Sequence, residues 1–234
     1  MKTAKPASRA RATSGRGMAG PRRPMGGGIM LGIRIAWLIL WVGLAANPVT
    51  AAQPEWLEGV RQGGHVIVFR HGPTYANQAD TDPLNMKNVA AQRQLTEEGR
   101  VQATAVGAAM HRLGIPVSAV ITSTFQRAVD TGTLLGFGTV TASVDVTEGG
   151  LVVSPDENNR RAQALRKLAA TPPPAGGNLV IVSHKPNLMD AFGKDWFDVR
   201  EGEASVFKPD GAGGAKLIVR IGAGEWSKLA ETMR

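Results

Sequence analysis

The sequence has no cysteine, only one tyrosine, and no acidic residue in its first 51 positions. Without cysteine there is no disulfide, no thiolate metal site and no thiol nucleophile. The missing acidic residues explain the charge. The formal net charge is +8 over 234 residues, a value that ordinarily points to nucleic acid or an acidic membrane. Eight basic residues, Lys2, Lys5, Arg9, Arg11, Arg16, Arg22, Arg23 and Arg34, lie in 1–51, and the remainder carries nineteen basic and nineteen acidic residues. All the excess charge belongs to the leading segment, so a nucleic-acid-binding surface on the rest loses its basis. The five tryptophans are not interleaved with charges as a base-stacking platform requires. The chain also lacks a long apolar run: Ile35 to Ala46 is well short of the roughly 20 residues a membrane-spanning helix needs. At 43% hydrophobic and 20% charged it is no disordered polyampholyte.

Residues 1–28 are mostly Gly, Pro, Ala and Arg and are not expected to fold. The apolar run behind Arg34 suits the h-region of a signal peptide, and Val49-Thr50-Ala51 supplies small residues for cleavage. The expectation is a targeting leader over 1–51, cut after Ala51 with Ala52 as the alternative, and one domain over 52–234. Met18, Met25 and Met30 are alternative starts, and an uncleaved N-terminal anchor is the rival reading. The domain is expected to be periplasmic or secreted, with no stable membrane span after cleavage. A lack of cysteine suits such an oxidising compartment.

The domain reads as α/β. His65 to Phe69, Ala119 to Ile121 and Asn178 to Val182 are short apolar runs expected to be buried strands, with Thr139 to Val146 a weaker one. Helices are expected over Thr96–Leu113, with Thr96 as N-cap, over Phe125–Leu135, over Pro155–Ala170, and briefly near Leu188. Ala204–Phe207 and Lys216–Ile221 form a closing hairpin around a turn at Asp210–Gly214. The alternation predicts a three-layer α/β/α sandwich with a mainly parallel central sheet. The long polar loop from Gly72 to Arg93 reads as functional.

In open α/β sheets ligands bind beyond the carboxyl ends of the strands. Three strands end suggestively, in Arg70-His71-Gly72, in Thr122-Ser123 with Arg127 one turn on, and in Ser183-His184. If these ends adjoin, two histidines and two arginines face one crevice. Such a set fits a tetrahedral anion, because guanidinium groups grip phosphate oxygens in a fork. A neutral imidazole among them can attack phosphorus.

Those residues carry a resemblance. Arg70-His71-Gly72 followed by Thr74 and Asn77 resembles the "RHG-x-T-x-x-N" signature of the histidine phosphatase superfamily, the phosphoglycerate-mutase-like group. Leu95 to Ala103 resembles its "LTxxGxxQA" helix start, Ser123 to Thr131 its "SxxxRxxxT" segment, and Val182-Ser183-His184 the strand with its second histidine. The resemblance spans roughly 64–190 and implies a phosphoglycerate-mutase-like fold. It implies that His71 is the nucleophile that becomes phosphohistidine, and that Arg70, Arg127 and His184 hold the phosphoryl oxygens. Asn77 and Thr74 would add contacts to the substrate. No metal and no cofactor are implied. The family often places an acidic general acid between the arginine helix and the second histidine, where Glu148 is the first candidate and Asp80, Asp82 and Glu203 are rivals. In the family's other main branch an Asp follows the second histidine, whereas Lys185 stands here.

Other residues have plainer readings. Ser123 is either a helix N-cap or a substrate contact, with the cap favoured. Gln102 and Thr131 are expected to pack or support, His65 and His111 to be structural, and Tyr75 to line the substrate mouth. The expected function is an exported phosphatase acting on a small phosphomonoester, such as an envelope sugar phosphate. The alternatives are a mutase-like phosphoryl transferase and a non-catalytic phosphate-binding envelope protein. Export and the short chain between the arginine helix and Glu148, with little room for a cap, argue against the mutase. Nothing in the residues indicates the oligomeric state.

Overall fold

Alternation along the central strands dictates the layering. In β1 (Val66–Arg70), Ile67 and Phe69 face one side and Val66 and Val68 the other, and all four are buried. β4 (Asn178–Ser183) does the same with Val180 and Val182 against Leu179 and Ile181. A strand apolar on both faces needs helices above and below it. The structure, a computed structural model, describes residues 53–233, which belong to one unit. The expected leader over 1–51 and its cleavage site lie outside the described residues.

The remaining elements are α1 (Glu55–Arg61), α2 (Glu97–Arg112), β2 (Val117–Thr122), α3 (Gln126–Leu134), β3 (Val140–Ala142), α4 (Pro155–Ala170), α5 (Lys185–Phe192), β5 (Ala204–Pro209), β6 (Ala215–Ile221) and α6 (Ala223–Glu231). The sheet order is β3-β2-β4-β1-β5-β6. The first four of these strands run parallel, and β5 pairs antiparallel with both β1 and β6. This is the mainly parallel three-layer architecture expected. α1, α2, α3 and α6 build the core on one face around Leu57, Met110, Phe69 and Trp226. α4 and α5 build the other around Leu165, Leu188 and Ile181. Each such side chain, fully buried, contributes roughly 1.5–3 kcal/mol.

Local chemistry sets the element ends. The Thr96 hydroxyl accepts from Gly99 N at 2.9 Å, capping α2 as expected. The Ser154 hydroxyl caps α4 ahead of Pro155. In the hairpin turn, Asp210 Oδ1 accepts from the N–H groups of Ala212 and Gly214, and Gly211 and Gly213 adopt φ of 75° and 92°.

Two expectations need correction. The strand expected over Thr139–Val146 pairs only at Val140–Ala142. The Ser143 hydroxyl then accepts from Asp145 N, and the chain turns through a 3-10 helix at Val144–Val146 that buries Val146. α1 was not foreseen. Its two buried residues, Leu57 and Val60, are too few for a periodic signal.

Candidate active site

The strand order places the three suggestive ends side by side. β4 lies between β2 and β1, with Arg70 opposite Ser183 and Thr122 opposite Val182. The ladder continues beyond the strands: His71 N donates to Ser183 O, and Ser123 N to Val182 O. His71 and His184 therefore emerge next to each other, their ring centroids 5.1 Å apart.

His71 is almost wholly buried, and its Nδ1 lies 2.8 Å from Gly72 O. A carbonyl only accepts, so Nδ1 carries the hydrogen and the Nε2 lone pair is free. Burial pushes the imidazole down to about 3; the Arg127, Arg70 and Arg93 charges act in the same direction, and the Gly72 bond opposes them. The ring is thus neutral at pH 7, the form that a nucleophile needs. His184 is also held well below its ordinary value, first by burial and then by Arg127. Its Nε2 lies 2.7 Å from Ser123 Oγ, which itself accepts from Phe125 N. With the serine O–H donating to Nε2, the His184 proton sits on Nδ1. That atom is buried with no hydrogen-bond partner among the described residues, 3.7 Å from Glu148. It is an unfilled donor beside His71.

Arg127 is fully buried in the first turn of α3, its guanidinium 4.2 Å over the Phe125 ring. Asp80 holds one arm at 2.9 Å, and Glu148 holds the other in a short ion pair. Arg70 donates to Val199 O at 2.8 Å and pairs with Glu201 at 3.3 Å. Its Nε and that of Arg127 are buried without partners among the described residues. Burial lowers the Arg70 value, and Glu201 opposes this. Thr131 joins the two halves of the site: its hydroxyl accepts from Gly72 N at 3.0 Å and donates to Arg127 O.

Of the expected residues, His71, Arg70, Arg127, His184 and Glu148 come together. The Thr74 hydroxyl is taken by Glu201, so it steadies the partner of Arg70. Asn77 stands exposed on the loop and makes no side-chain hydrogen bond to a described residue. Ser123 corrects the expected N-cap: Phe125 occupies the cap position of α3, and Ser123 lies buried behind His184. Among the rival acids, Asp80 is in the site on Arg127, and Asp82 bonds Asn88. Glu203 is held by Arg220 and the Arg200 N–H. His65 bonds the Gly63 carbonyl, and His111 stacks on Phe137, both structural as expected. Sequence reasoning missed Glu201 and Arg93. Their only signal was position, Arg93 at the end of the long loop and Glu201 just ahead of β5.

Residues 66–149 match the family model described as histidine phosphatase superfamily (branch 1). Over that segment, which is about a third of the chain, the protein is similar to the histidine phosphatase superfamily. A curated relative, the mitochondrial serine/threonine-protein phosphatase Pgam5 of Drosophila willistoni, is 39% identical over 71 residues. That match takes in 30% of this chain and only 21% of the relative's length. Similar solved structures include the protein histidine phosphatase SixA complexed with tungstate, at 17% identity and TM-score 0.49, covering 69% of this chain and 98% of that one. A mycobacterial glucosyl-3-phosphoglycerate phosphatase with inorganic phosphate is 18% identical with TM-score 0.49, over 69% and 99%. The superfamily match ends at Gly149 and so takes in His71, Arg127 and Glu148 but not His184.

Proposed function

We propose that this protein is an exported, metal-independent phosphatase that hydrolyses a small phosphomonoester through a phosphohistidine on His71. The observation that carries the reading is the neutral His71 ring, its Nδ1 hydrogen fixed on Gly72 O and its Nε2 lone pair free beside the unfilled Nδ1 donor of His184. Similarity to the superfamily over residues 66–149 and to a relative named as a phosphatase supports the same activity.

In this mechanism the phosphoryl oxygens lie on Arg127, Arg70 and His184, which offset the charge that the transferring group carries. The His71 Nε2 lone pair forms the N–P bond as the P–O ester bond breaks. Glu148, the carboxylate on Arg127 in the free site and beside His184, takes the proton of the monoanionic ester as the phosphoryl group displaces it from Arg127, and passes that proton to the leaving oxygen, so releasing the alcohol. The resulting carboxylate then takes a proton from water, whose oxygen attacks phosphorus. The N–P bond breaks, returning His71 and releasing inorganic phosphate. No step requires a metal ion or a cofactor.

The test is a panel of phosphomonoesters with an alkaline quench, which preserves the acid-labile phosphohistidine, and trapping of that intermediate on His71. His71→Ala is expected to lose on the order of 10³-fold or more in kcat/KM, and EDTA to change nothing. Glu148→Gln is expected to cost about 10²–10⁴-fold on alkyl esters and far less on p-nitrophenyl phosphate, whose phenolate leaves without a proton. Full turnover by His71→Ala overturns the proposal.

A further inference from the structure

We infer that the leaving group of the preferred phosphoester is neutral and apolar, and that it sits in a groove beside Glu148. This rests on the phosphatase reading and deepens it. The groove encloses about 140 Å³. Its walls are Pro83, Leu84 and Met86 from the long loop and Val144, Val152 and Val153 from the segment between β3 and α4. A cavity of about 150 Å³ accepts benzene, so the space suits one ring or a short branched alkyl group.

Three observations converge on that occupant. First, the walls leave large apolar side chains in water: Leu84 is 74%, Val152 47% and Val144 46% exposed. They come from two distant stretches of chain and meet in one place, as a binding patch does. The loop wall is fixed there. Gln92 Nε2 donates to Met86 O at 3.0 Å, Asn88 to Asp82 at 3.0 Å, and Asp80 holds Arg127.

Second, the groove is continuous with the site of chemistry. Glu148 lines it and is bonded to Arg127. An ester whose phosphoryl group lies on Arg127 and whose leaving oxygen faces Glu148 directs its organic part into this groove.

Third, the groove offers little to a polar or charged guest. The Thr147 hydroxyl donates to Ser143 O and is paired with Thr124, and the Arg161 guanidinium is bonded to Thr147 O and Glu157. The Met86 carbonyl is already used by Gln92. A polyhydroxylated group would exchange its water hydrogen bonds for few, chiefly to Glu148 and to the Nη2 of Arg161. The two charged residues of the wall, Glu148 and Arg161, are each paired, with Arg127 and with Glu157, so the groove favours neither sign of charge on its guest. The groove therefore favours a neutral apolar leaving group over a sugar.

The experiment compares benzyl phosphate with glycerol 1-phosphate, both primary alkyl esters whose leaving groups differ chiefly in polarity. The expected kcat/KM ratio favours the benzyl ester by about 10- to 100-fold, the range that an apolar pocket can supply. Leu84→Ser and Val152→Ser, at exposed positions that bear little on folding, are expected to bring that ratio near one by lowering benzyl turnover alone. A ratio near one in the unaltered protein, or a ratio that both variants leave untouched, overturns the groove assignment. If glycerol 1-phosphate is turned over equally well through phosphorylated His71, the phosphatase reading stands and this inference falls. If no phosphoester is hydrolysed, both fall.

Discussion

Arg127 shows most clearly how single residues set the state of the free site. A guanidinium with no solvent exposure must have anions beside it, because an unpaired buried charge is costly. Asp80 and Glu148 supply them. A phosphoryl group that arrives on Arg127 replaces a carboxylate there and gains only the difference between the two interactions. Asp80 is thus a competitor of the substrate, and the same carboxylate fixes the loop through Arg93 N at 3.0 Å. Asp80→Asn is expected to lower stability by about 1–3 kcal/mol, as for a lost hydrogen bond to a charged group. It is also expected to tighten inhibition by inorganic phosphate by roughly tenfold, near 1.4 kcal/mol. Thermal unfolding with and without saturating phosphate checks both: the shift in Tm on adding phosphate should exceed that of the unaltered protein. A weaker phosphate inhibition would make Asp80 part of the binding set. This pairing was not legible in the sequence, where Asp80 and Arg127 stand 47 residues apart. The two histidines and two arginines were legible because each lies at, or one turn beyond, the end of an apolar run that topology forces to one edge.

Elements were readable where local chemistry and packing agree. α2 and α4 begin at hydroxyl caps on Thr96 and Ser154 and bury regular stripes. β3 was overestimated because it is an edge strand, where a side-chain hydroxyl at Ser143 competes successfully with the ladder. α1 depends on tertiary packing and on Arg61 Nε donating to Leu113 O at 2.7 Å, which no local pattern announces. The start of α2 shows how an element holds the site. A Cβ on Gly99 would meet Pro73 O at 2.3 Å, and that carbonyl also accepts from Thr96 N. Helix propensity alone predicts that Gly99→Ala stabilises α2 by about 1 kcal/mol. The backbone contact reverses the sign: the overlap is expected to cost about 1–3 kcal/mol and to push Pro73, and with it Gly72 and the carbonyl that orients His71. Chemical denaturation should show the loss, and turnover of a phosphoester should fall by more than the unfolded fraction explains. A stabilised, fully active Gly99→Ala would show that the loop yields to the helix without moving the nucleophile.

At the scale of the whole molecule, charge separates two jobs. The net charge of +8 resides in residues 1–51, and 52–234 is formally neutral. Within the site the two phosphate-facing arginines are matched, Arg127 by Asp80 and Glu148 and Arg70 by Glu201. The folded part therefore has little long-range field to draw in polyanions, and its positive charge acts at contact range. We propose that the leading segment serves export alone. α1 begins at Glu55, so a cut after Ala51 or Ala52 falls ahead of the first described element. No helix among the described residues is long and apolar enough to cross a membrane. Expression of the full chain in a Gram-negative host with N-terminal sequencing is expected to find a periplasmic protein that begins at Ala52 or Gln53. Isoelectric focusing should place it far below the pI of about 10.3 of the whole sequence. A full-length product held in the membrane fraction would instead establish the apolar run as an anchor, and a full-length cytoplasmic product would remove export from the proposed function while leaving the chemistry at His71 untouched.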